Sequence, residues 1–194
     1  MDITWTEAVL SLGIGVGLAA ATGMRVFLPL LALGVAARLE WIPLSAGFEW
    51  LSSWPAMAAL AVAAVLEVAA YYVPLIDNFL DLVAGPLAVV AGIIATAAVI
   101  TDLPPLVRWS VAIVAGGGTA GVVQTVSSIV RLKSTAFTAG LGNFVVATLE
   151  LAGSLVASII AILAPAIALV IVAVVLLVSF MILKNRMSSR RLTT

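Results

Sequence analysis

Residues 134–183 read STAFTAGLGNFVVATLELAGSLVASIIAILAPAIALVIVAVVLLVSFMIL, and Glu150 is the one charged side chain among them. A helix that spans a bilayer needs ~20 apolar residues, so this run is too long for one span. Pro165 is the natural break, because proline ends or kinks a helix, and we predict helices near 143–162 and 166–183. The run indicates an all-helical membrane protein with several spans.

The composition of the whole chain agrees with this interpretation. Of the 194 residues, 64% are hydrophobic and 9% are charged, whereas an ordinary globular domain has ~25% charged residues. So few charges cannot cover a soluble fold, which excludes a water-soluble enzyme, a disordered chain and a nucleic-acid binder. Cysteine and histidine are absent, and no hydrolase or nucleotide-binding motif occurs. We therefore expect neither an enzyme nor a cofactor.

Six hydrophobic elements follow one another in a single transmembrane domain, residues 1–185, before a basic tail, residues 186–194. The elements lie at 8–37, 54–73, 86–101, 109–130, 143–162 and 166–183. Residues 39–53, with adjoining Trp54, have the tryptophan-rich composition of a water–lipid boundary. Residues 74–85 are predicted to form a short helical turn between two prolines. The residues from Lys184 onward are predicted to be disordered.

Lysine and arginine predict the orientation, since they concentrate in cytoplasmic segments. The basic residues after the last element put the C-terminus in the cytoplasm: Lys184, Arg186, Arg190 and Arg191. If all six elements span, Arg38 and Arg108 lie outside; if elements one and four are re-entrant hairpins, both lie inside. Both elements are predicted to contain an interrupted helix, because Gly23 and Pro29 lie within element one and Gly116–Gly118 within element four.

The chain has a weak internal repeat. A glycine-rich element, a helix with a glutamate (Glu67 or Glu150) and a helix that starts at a proline (Pro86 or Pro165) occur twice in the same order. The repeats would cover residues 8–102 and 109–183. An inverted pair of this kind is common in secondary transporters. The alternative is that small residues recur because they let membrane helices pack closely.

Three ionisable residues fall inside the predicted spans. Each adds about 2.5–3.5 kcal/mol to the free energy of inserting its helix into the membrane. They are Arg25, Glu67 and Glu150. Because two carboxylates face one cation, at most one glutamate can pair with Arg25, and the other is expected to be neutral or to meet a further cation. This favours a proton- or cation-coupled pathway. The alternative is a neutral glutamate that only hydrogen-bonds between helices.

Other polar residues extend the candidate pathway. Tyr71 is one helical turn from Glu67 and could hydrogen-bond it. Two polar faces recur at helical spacing: Gln124, Ser128 and Arg131 on element four, and Asn143, Glu150, Ser154 and Ser158 on element five. Asp77 and Asp81 share a face and could bind a cation of unknown identity. Alternatively, Asp77 caps a short helix that ends at Gly85.

Four segments resemble a known family. They are GLAAATGMRVFLPLLALG (17–34), LEVAAYYVPLIDNFLD (66–81), AGGGTAGVVQ (115–124) and STAFTAGLGN (134–143). Together they resemble the bacterial membrane family named domain of unknown function 4126, whose most specific part matches Pro74, Asp77 and Asp81. The resemblance implies a small polytopic inner-membrane protein and brings no activity, substrate or cofactor with it.

Three functions remain open. The first is a transporter or channel for a small solute, in which Glu67 and Glu150 carry the coupling. The second is an anionic-lipid translocase or binder, in which Arg25 grips a lipid phosphate at a helix break. The third is a scaffold without transport. The expected partners are the lipid bilayer, an anionic lipid and another copy of the chain, and the expected location is the bacterial inner membrane.

Overall fold

The chain is predominantly helical in the part that the structure, a computed structural model, describes. The backbone is described for residues 5–71, 74–101, 103–138 and 141–190, and the side chains for 6–71, 83–101, 103–138, 141–179 and 181. Within these residues there are seven helices and no strand. The helices are α1 Trp5–Thr22, α2 Phe27–Arg38, α3 Trp54–Tyr71, α4 Pro74–Val99, α5 Pro105–Thr138, α6 Asn143–Leu163 and α7 Pro165–Arg190.

The helix boundaries confirm the predicted break at Pro165 and correct two others. Pro165 begins α7, where its missing N–H removes no helical bond. The predicted start at Pro86 is wrong, because α4 begins at Pro74 and runs on through Gly85 and Pro86. Proline inside a membrane helix is tolerated when neighbours satisfy the freed carbonyl. α7 continues to Arg190, so the predicted disorder is also wrong for residues 184–190.

Element one contains the predicted interruption. The helical hydrogen bonds of α1 end in a turn, where Met24 and Arg25 both donate their N–H groups to the Ala21 carbonyl, at 3.0 and 3.1 Å. Gly23 is required in this turn, since a Cβ there would lie 2.7 Å from the Ala120 carbonyl oxygen of α5. Pro29 falls in the first turn of α2, where the N–H groups have no partner within the helix. Element one is therefore two helices.

Element four, in contrast, is not broken. α5 is continuous over 34 residues, and its glycines lie in and next to a π-helical turn at Ala112–Gly117. A Cβ on Gly116 would lie 2.6 Å from the Gly92 carbonyl oxygen of α4. Gly116 and Gly117 serve the close approach of α4 and α5. The predicted interruption is limited to the π-helical turn, and the re-entrant hairpin at element four is wrong.

The end of α2, the start of α3 and the end of α4 lie at the same end of the bundle. The Arg38 guanidinium stacks 4.4 Å above the Trp54 ring. Ser45, in the connection after α2, donates its N–H to the Ala98 carbonyl at 2.7 Å and its hydroxyl to the Ala97 carbonyl at 2.8 Å. We call this the tryptophan end. Its four exposed tryptophans among the described residues are Trp41, Trp50, Trp54 and Trp109.

α1 also starts toward the tryptophan end. A Cβ on Gly15 would lie 3.0 Å from Thr96, near the end of α4, whereas the Thr22 hydroxyl reaches the Ala88 carbonyl at 3.3 Å, farther from that end. α1 is therefore antiparallel to α4. Since α1 enters from the tryptophan end and α2 returns to it, the two form a helical hairpin whose tip is residues 23–26.

Three of the described helices are long and apolar enough to cross a membrane: α3, α5 and α6. The described apolar parts of α1, α2, α4 and α7 are shorter. α1 is the central helix of the bundle and contacts α4, α5, α6 and α7. Its glycines permit this, because a Cβ on Gly17 would lie 2.7 Å from the Ala161 Cβ of α6. These features indicate a membrane protein whose hairpin is held in the core.

Candidate functional site: an ion cluster at the hairpin tip

Four charged side chains converge around one aromatic ring at the hairpin tip. They are Arg25 from the tip, Glu67 from α3, Arg131 from α5 and Glu150 from α6, and the ring is that of Tyr71. Their exposed fractions lie between 1% and 7%. We call these five residues the ion cluster.

Glu150 is held by α5. Its Oε1 accepts hydrogen bonds from Arg131 Nε at 3.0 Å and from the Ser127 hydroxyl, and its Oε2 accepts one from Arg131 Nη2. The contact is a two-point arginine–carboxylate pair, the strongest geometry such a pair can adopt. Ser127 and Arg131 are four residues apart, so one face of α5 supplies both donors.

Arg25 is the most deeply buried member of the ion cluster, with 1% of its surface exposed. Its Nη2 donates to the Ala147 carbonyl of α6 at 2.7 Å and lies 3.7 Å from Glu150 Oε2. Its Nε and Nη1 have no hydrogen-bond acceptor among the residues that the structure describes. Buried donors without acceptors are costly, so these two groups are the least satisfied part of the ion cluster.

The Tyr71 ring contacts both guanidinium groups. The Cζ of Arg25 lies 4.1 Å from the centre of its ring and that of Arg131 lies 3.9 Å from it. An aromatic face attracts a cation, and the attraction grows when water is excluded. The ring therefore lets two like charges share one buried site.

Glu67 caps the start of α2. Its Oε1 accepts the Val26 N–H at 2.8 Å and its Oε2 accepts the Phe27 N–H at 3.2 Å. The first N–H groups of a helix have no partner within the helix and carry its positive end, so a carboxylate is favoured there. The hydrogen bonds of Glu67 thus go to the backbone at the hairpin tip and not to Arg25.

The ion cluster is nearer one end of the bundle. Glu67 lies 13 residues after Trp54, about 20 Å of helix from the tryptophan end. Arg131 is seven residues before Thr138, the last residue of α5, about 10 Å from the opposite end. Together these lengths approach the ~30 Å thickness of a bilayer core.

The charge count that the sequence suggested is wrong. Arg131 was assigned to the end of element four, yet α5 continues to Thr138 and Arg131 is buried at 3% exposure. The ion cluster holds two guanidinium groups and two carboxylates and is formally neutral. The surplus negative charge that favoured proton or cation coupling is therefore absent from these residues.

Three other predicted pathway residues lie outside the ion cluster. Gln124 is buried on α5, about 10 Å along the helix from Arg131, and donates to the Ser128 hydroxyl at 3.5 Å. Asn143, at the start of α6, donates to the Thr135 hydroxyl at 3.0 Å. The buried Ser154 hydroxyl joins α6 to α1, because it donates to the Ala21 carbonyl at 3.1 Å.

The predicted cation site at Asp77 and Asp81 cannot be placed, because both side chains lie outside the described residues. Their backbone belongs to α4, which does not end at Gly85 as the capping alternative required. Among the described residues, no group of three or more acidic side chains converges as a metal site would need.

An apolar crevice of about 320 Å³ borders the hairpin tip. Apolar residues from α1, α5, α6 and α7 line it, including Gly17, Ala20 and Met24 on the hairpin side. It opens on the outer surface of the bundle, since Val156 and Ile171 at its rim are exposed. Met24, which directly precedes Arg25, is one of the residues that line the crevice.

The family can be assigned from the sequence. The model of the family described as Domain of unknown function (DUF4126) matches residues 12–185. The chain belongs to the DUF4126 family. The matched residues include the hairpin from residue 12 onward and all residues of the ion cluster and the crevice. No curated protein and no solved structure matches the chain.

Two features of this DUF4126 site were missed in the sequence. Glu67 caps α2 through backbone N–H groups, and the types of the residues that carry these groups do not reveal such a contact. Ser127 did leave a signal, since it lies four residues before Arg131, which the sequence already places on the polar face with Gln124 and Ser128. Because that face continues past the apolar run, Arg131 could have been counted among the buried charges.

Proposed function

We propose that the protein binds an anionic lipid, with the phosphate at the hairpin tip and the hydrocarbon chain in the apolar crevice, and moves it within the bilayer. The observation that carries this proposal is the adjacency of the two parts. The crevice reaches Met24, and the next residue, Arg25, has two buried N–H donors without acceptors among the described residues. A ligand that fits both parts has a hydrocarbon chain and an anionic head group.

The chemistry of the crevice favours a lipid over a soluble ion. Its lining side chains are apolar, and such a surface gives a hydrated solute no hydrogen bonds. A hydrocarbon chain lying between α6 and α7 would instead replace chains of the surrounding bilayer at little cost. Arginine suits the other end of the ligand, because its planar fork matches the oxygens of a phosphate.

The direction of the bundle in the membrane follows the basic residues. Arg38 and Arg108 lie toward the tryptophan end, whereas Lys133 and the basic positions of α7 (Lys184, Arg186 and Arg190) lie toward the opposite end. Under the preference of lysine and arginine for the cytoplasm, the opposite end faces inward in a bacterial inner membrane. The hairpin is then re-entrant from the outer side, and the ion cluster lies about 10 Å from the cytoplasmic boundary.

A binding assay in phosphatidylcholine nanodiscs tests the proposal with three probes. Farnesyl phosphate carries a chain and a phosphate, farnesol carries the chain alone, and inorganic phosphate carries the head alone. We expect farnesyl phosphate to bind at least ten-fold more tightly than either partial ligand. Equal binding of farnesyl phosphate and inorganic phosphate would instead support the soluble-anion transporter, and absence of binding by all three would leave the scaffold.

Variants of both parts of the site sharpen this test. Arg25→Lys keeps the positive charge but loses the planar guanidinium with its paired N–H donors. The affinity for farnesyl phosphate should fall about ten-fold, because one charge-assisted hydrogen bond is lost. Ala157→Leu fills the crevice and should weaken the same probe without touching a charge. Arg38→Ala, at the tryptophan end, is the matched control. Binding that is unchanged in both site variants would refute the assignment.

A second candidate is the solute transporter, favoured by the interrupted helix beside buried ions. Secondary transporters place their sites at such discontinuous helices near the middle of the bilayer. The neutral ion cluster removes the reason to couple it to protons, so the candidate is reduced to an uncoupled or anion-binding form. Inorganic phosphate flux in proteoliposomes that depends on Arg25 would support it.

A further inference from the structure

We infer that Glu67 is a built-in competitor of the ligand: its carboxylate occupies the anion site that a lipid phosphate takes when it binds. This inference rests on the proposed function and adds a regulatory step to it. In the structure the carboxylate closes the site, and binding requires that a phosphate displace it from the start of α2.

The contacts of Glu67 are those of an anion-binding site. Two successive backbone N–H groups, those of Val26 and Phe27, each bond a different carboxylate oxygen at 2.8 and 3.2 Å. Helix starts bind phosphates through the same pair of features, free N–H groups and a positive helix end. α2, with 12 residues, is long enough to supply both.

The side chain beside this helix start indicates a further ligand. Arg25 directly precedes Val26, is 99% buried by its 1% exposure, and has Nε and Nη1 without acceptors among the described residues. Glu67 does not engage these donors, since its bonds go to the backbone. A phosphate has more acceptor oxygens than a carboxylate, so it can accept from the α2 N–H groups and from Arg25 together.

Displacement brings one further negative charge to the formally neutral ion cluster, and neutrality is kept when the released Glu67 carboxylate takes up a proton as the phosphate binds as a monoanion. When the phosphate enters, the two α2 N–H groups exchange one anion for another, and Arg25 gains a partner on its free side. The released Glu67 carboxyl, neutral after it has taken up the proton, remains one helical turn from Tyr71 and near Arg25 and Arg131. Glu150 keeps its bonds to Arg131 and Ser127 throughout. The exchange is therefore confined to the hairpin tip.

Glu67→Gln tests the inference, because glutamine has no charge and only one acceptor oxygen for the two N–H groups. A weaker internal competitor raises the fraction of protein molecules whose anion site is open, and the apparent affinity for the ligand rises in proportion to that fraction. We expect farnesyl phosphate and inorganic phosphate to bind on the order of ten-fold more tightly to the variant, with farnesol unchanged. Glu40→Gln, an exposed acid at the tryptophan end, is the control.

The outcomes separate this inference from the proposed function. If wild type binds farnesyl phosphate in an Arg25-dependent manner and Glu67→Gln binds it equally or less well, the competitor role is overturned and the lipid site stands. A gain that extends to farnesol would also overturn it, because the variant would then have loosened the crevice. If neither wild type nor the variant binds the phosphates, both proposals are overturned.

Wild-type protein offers a measurement that needs no folded variant. With ¹⁵N-labelled valine and phenylalanine, the amide signals of Val26 and Phe27 should shift when farnesyl phosphate replaces the Glu67 carboxylate. Farnesol, which lacks the phosphate, should leave both signals in place. Binding of farnesyl phosphate without a shift at either amide would contradict displacement at the start of α2.

Discussion

Neutrality of the ion cluster predicts how its charges respond to removal one at a time. Arg131→Met leaves two carboxylates against Arg25, and Glu150→Leu leaves two guanidinium groups against Glu67. Because Arg131 and Glu150 are 3% and 7% exposed, each single variant strands a buried charge, which costs about 3–5 kcal/mol of unfolding free energy. The double variant removes one charge of each sign and restores neutrality.

The double variant should therefore be far more stable than the sum of the single losses implies. Two uncoupled losses would total about 6–10 kcal/mol, whereas a buried pair replaced by apolar residues is often neutral. We expect a coupling free energy of about 3 kcal/mol or more, measured by reversible unfolding in mixed micelles. Arg38→Met paired with Glu150→Leu is the control without direct contact. Additive losses for Arg131 and Glu150 would refute the described pairing.

Two further predictions concern the hairpin. The chain has no cysteine, so cysteines introduced one at a time at Thr6, Glu40 and Thr135 can be labelled with a membrane-impermeant maleimide. The cysteines at positions 6 and 40 should react from one side of the membrane and the cysteine at position 135 from the other. Labelling of positions 6 and 40 from opposite sides would contradict the hairpin. Gly17→Val should lower the free energy of unfolding by about 1–3 kcal/mol, because the added side chain overpacks against α6. Gly118→Ala is the control and should cause no such loss, since a Cβ at Gly118 would meet nothing within 4 Å. Equal losses in the two variants would show that the contact at Gly17 is not specific.

Local signals in the sequence predicted much of the helical framework. Pro165 interrupts an otherwise uniform apolar run, so the boundary of α6 and α7 could be read directly. Gly23 and Pro29 predicted the break in element one for the same reason, since each disfavours a continuous helix. The hydropathy pattern does not give the direction of a helix, however, and it left open whether α2 turns back beside α1, as it does in the structure.

The ion cluster was predictable only in part. Arg25, Glu67, Tyr71 and Glu150 stood out because charge or hydrogen-bonding groups in an apolar helix need partners. Arg131 was misplaced, because a hydropathy span was ended at the first charged residue although α5 continues to Thr138. The resulting charge surplus followed from that one boundary. Glu67 pairs with backbone groups of a turn, and such partners are set by tertiary structure alone.

The central claim is that one ligand bridges the crevice and the hairpin tip, and photo-crosslinking locates that ligand most directly. A farnesyl phosphate analogue with a photoreactive chain should label crevice residues such as Met24, Val156 and Ile171, and excess unlabelled farnesyl phosphate should abolish the labelling. The exposed lipid-facing side of α3, at Val62 and Val65, should be labelled weakly and without competition. Labelling that is equal on both surfaces, or that unlabelled farnesyl phosphate does not reduce, would contradict the claim.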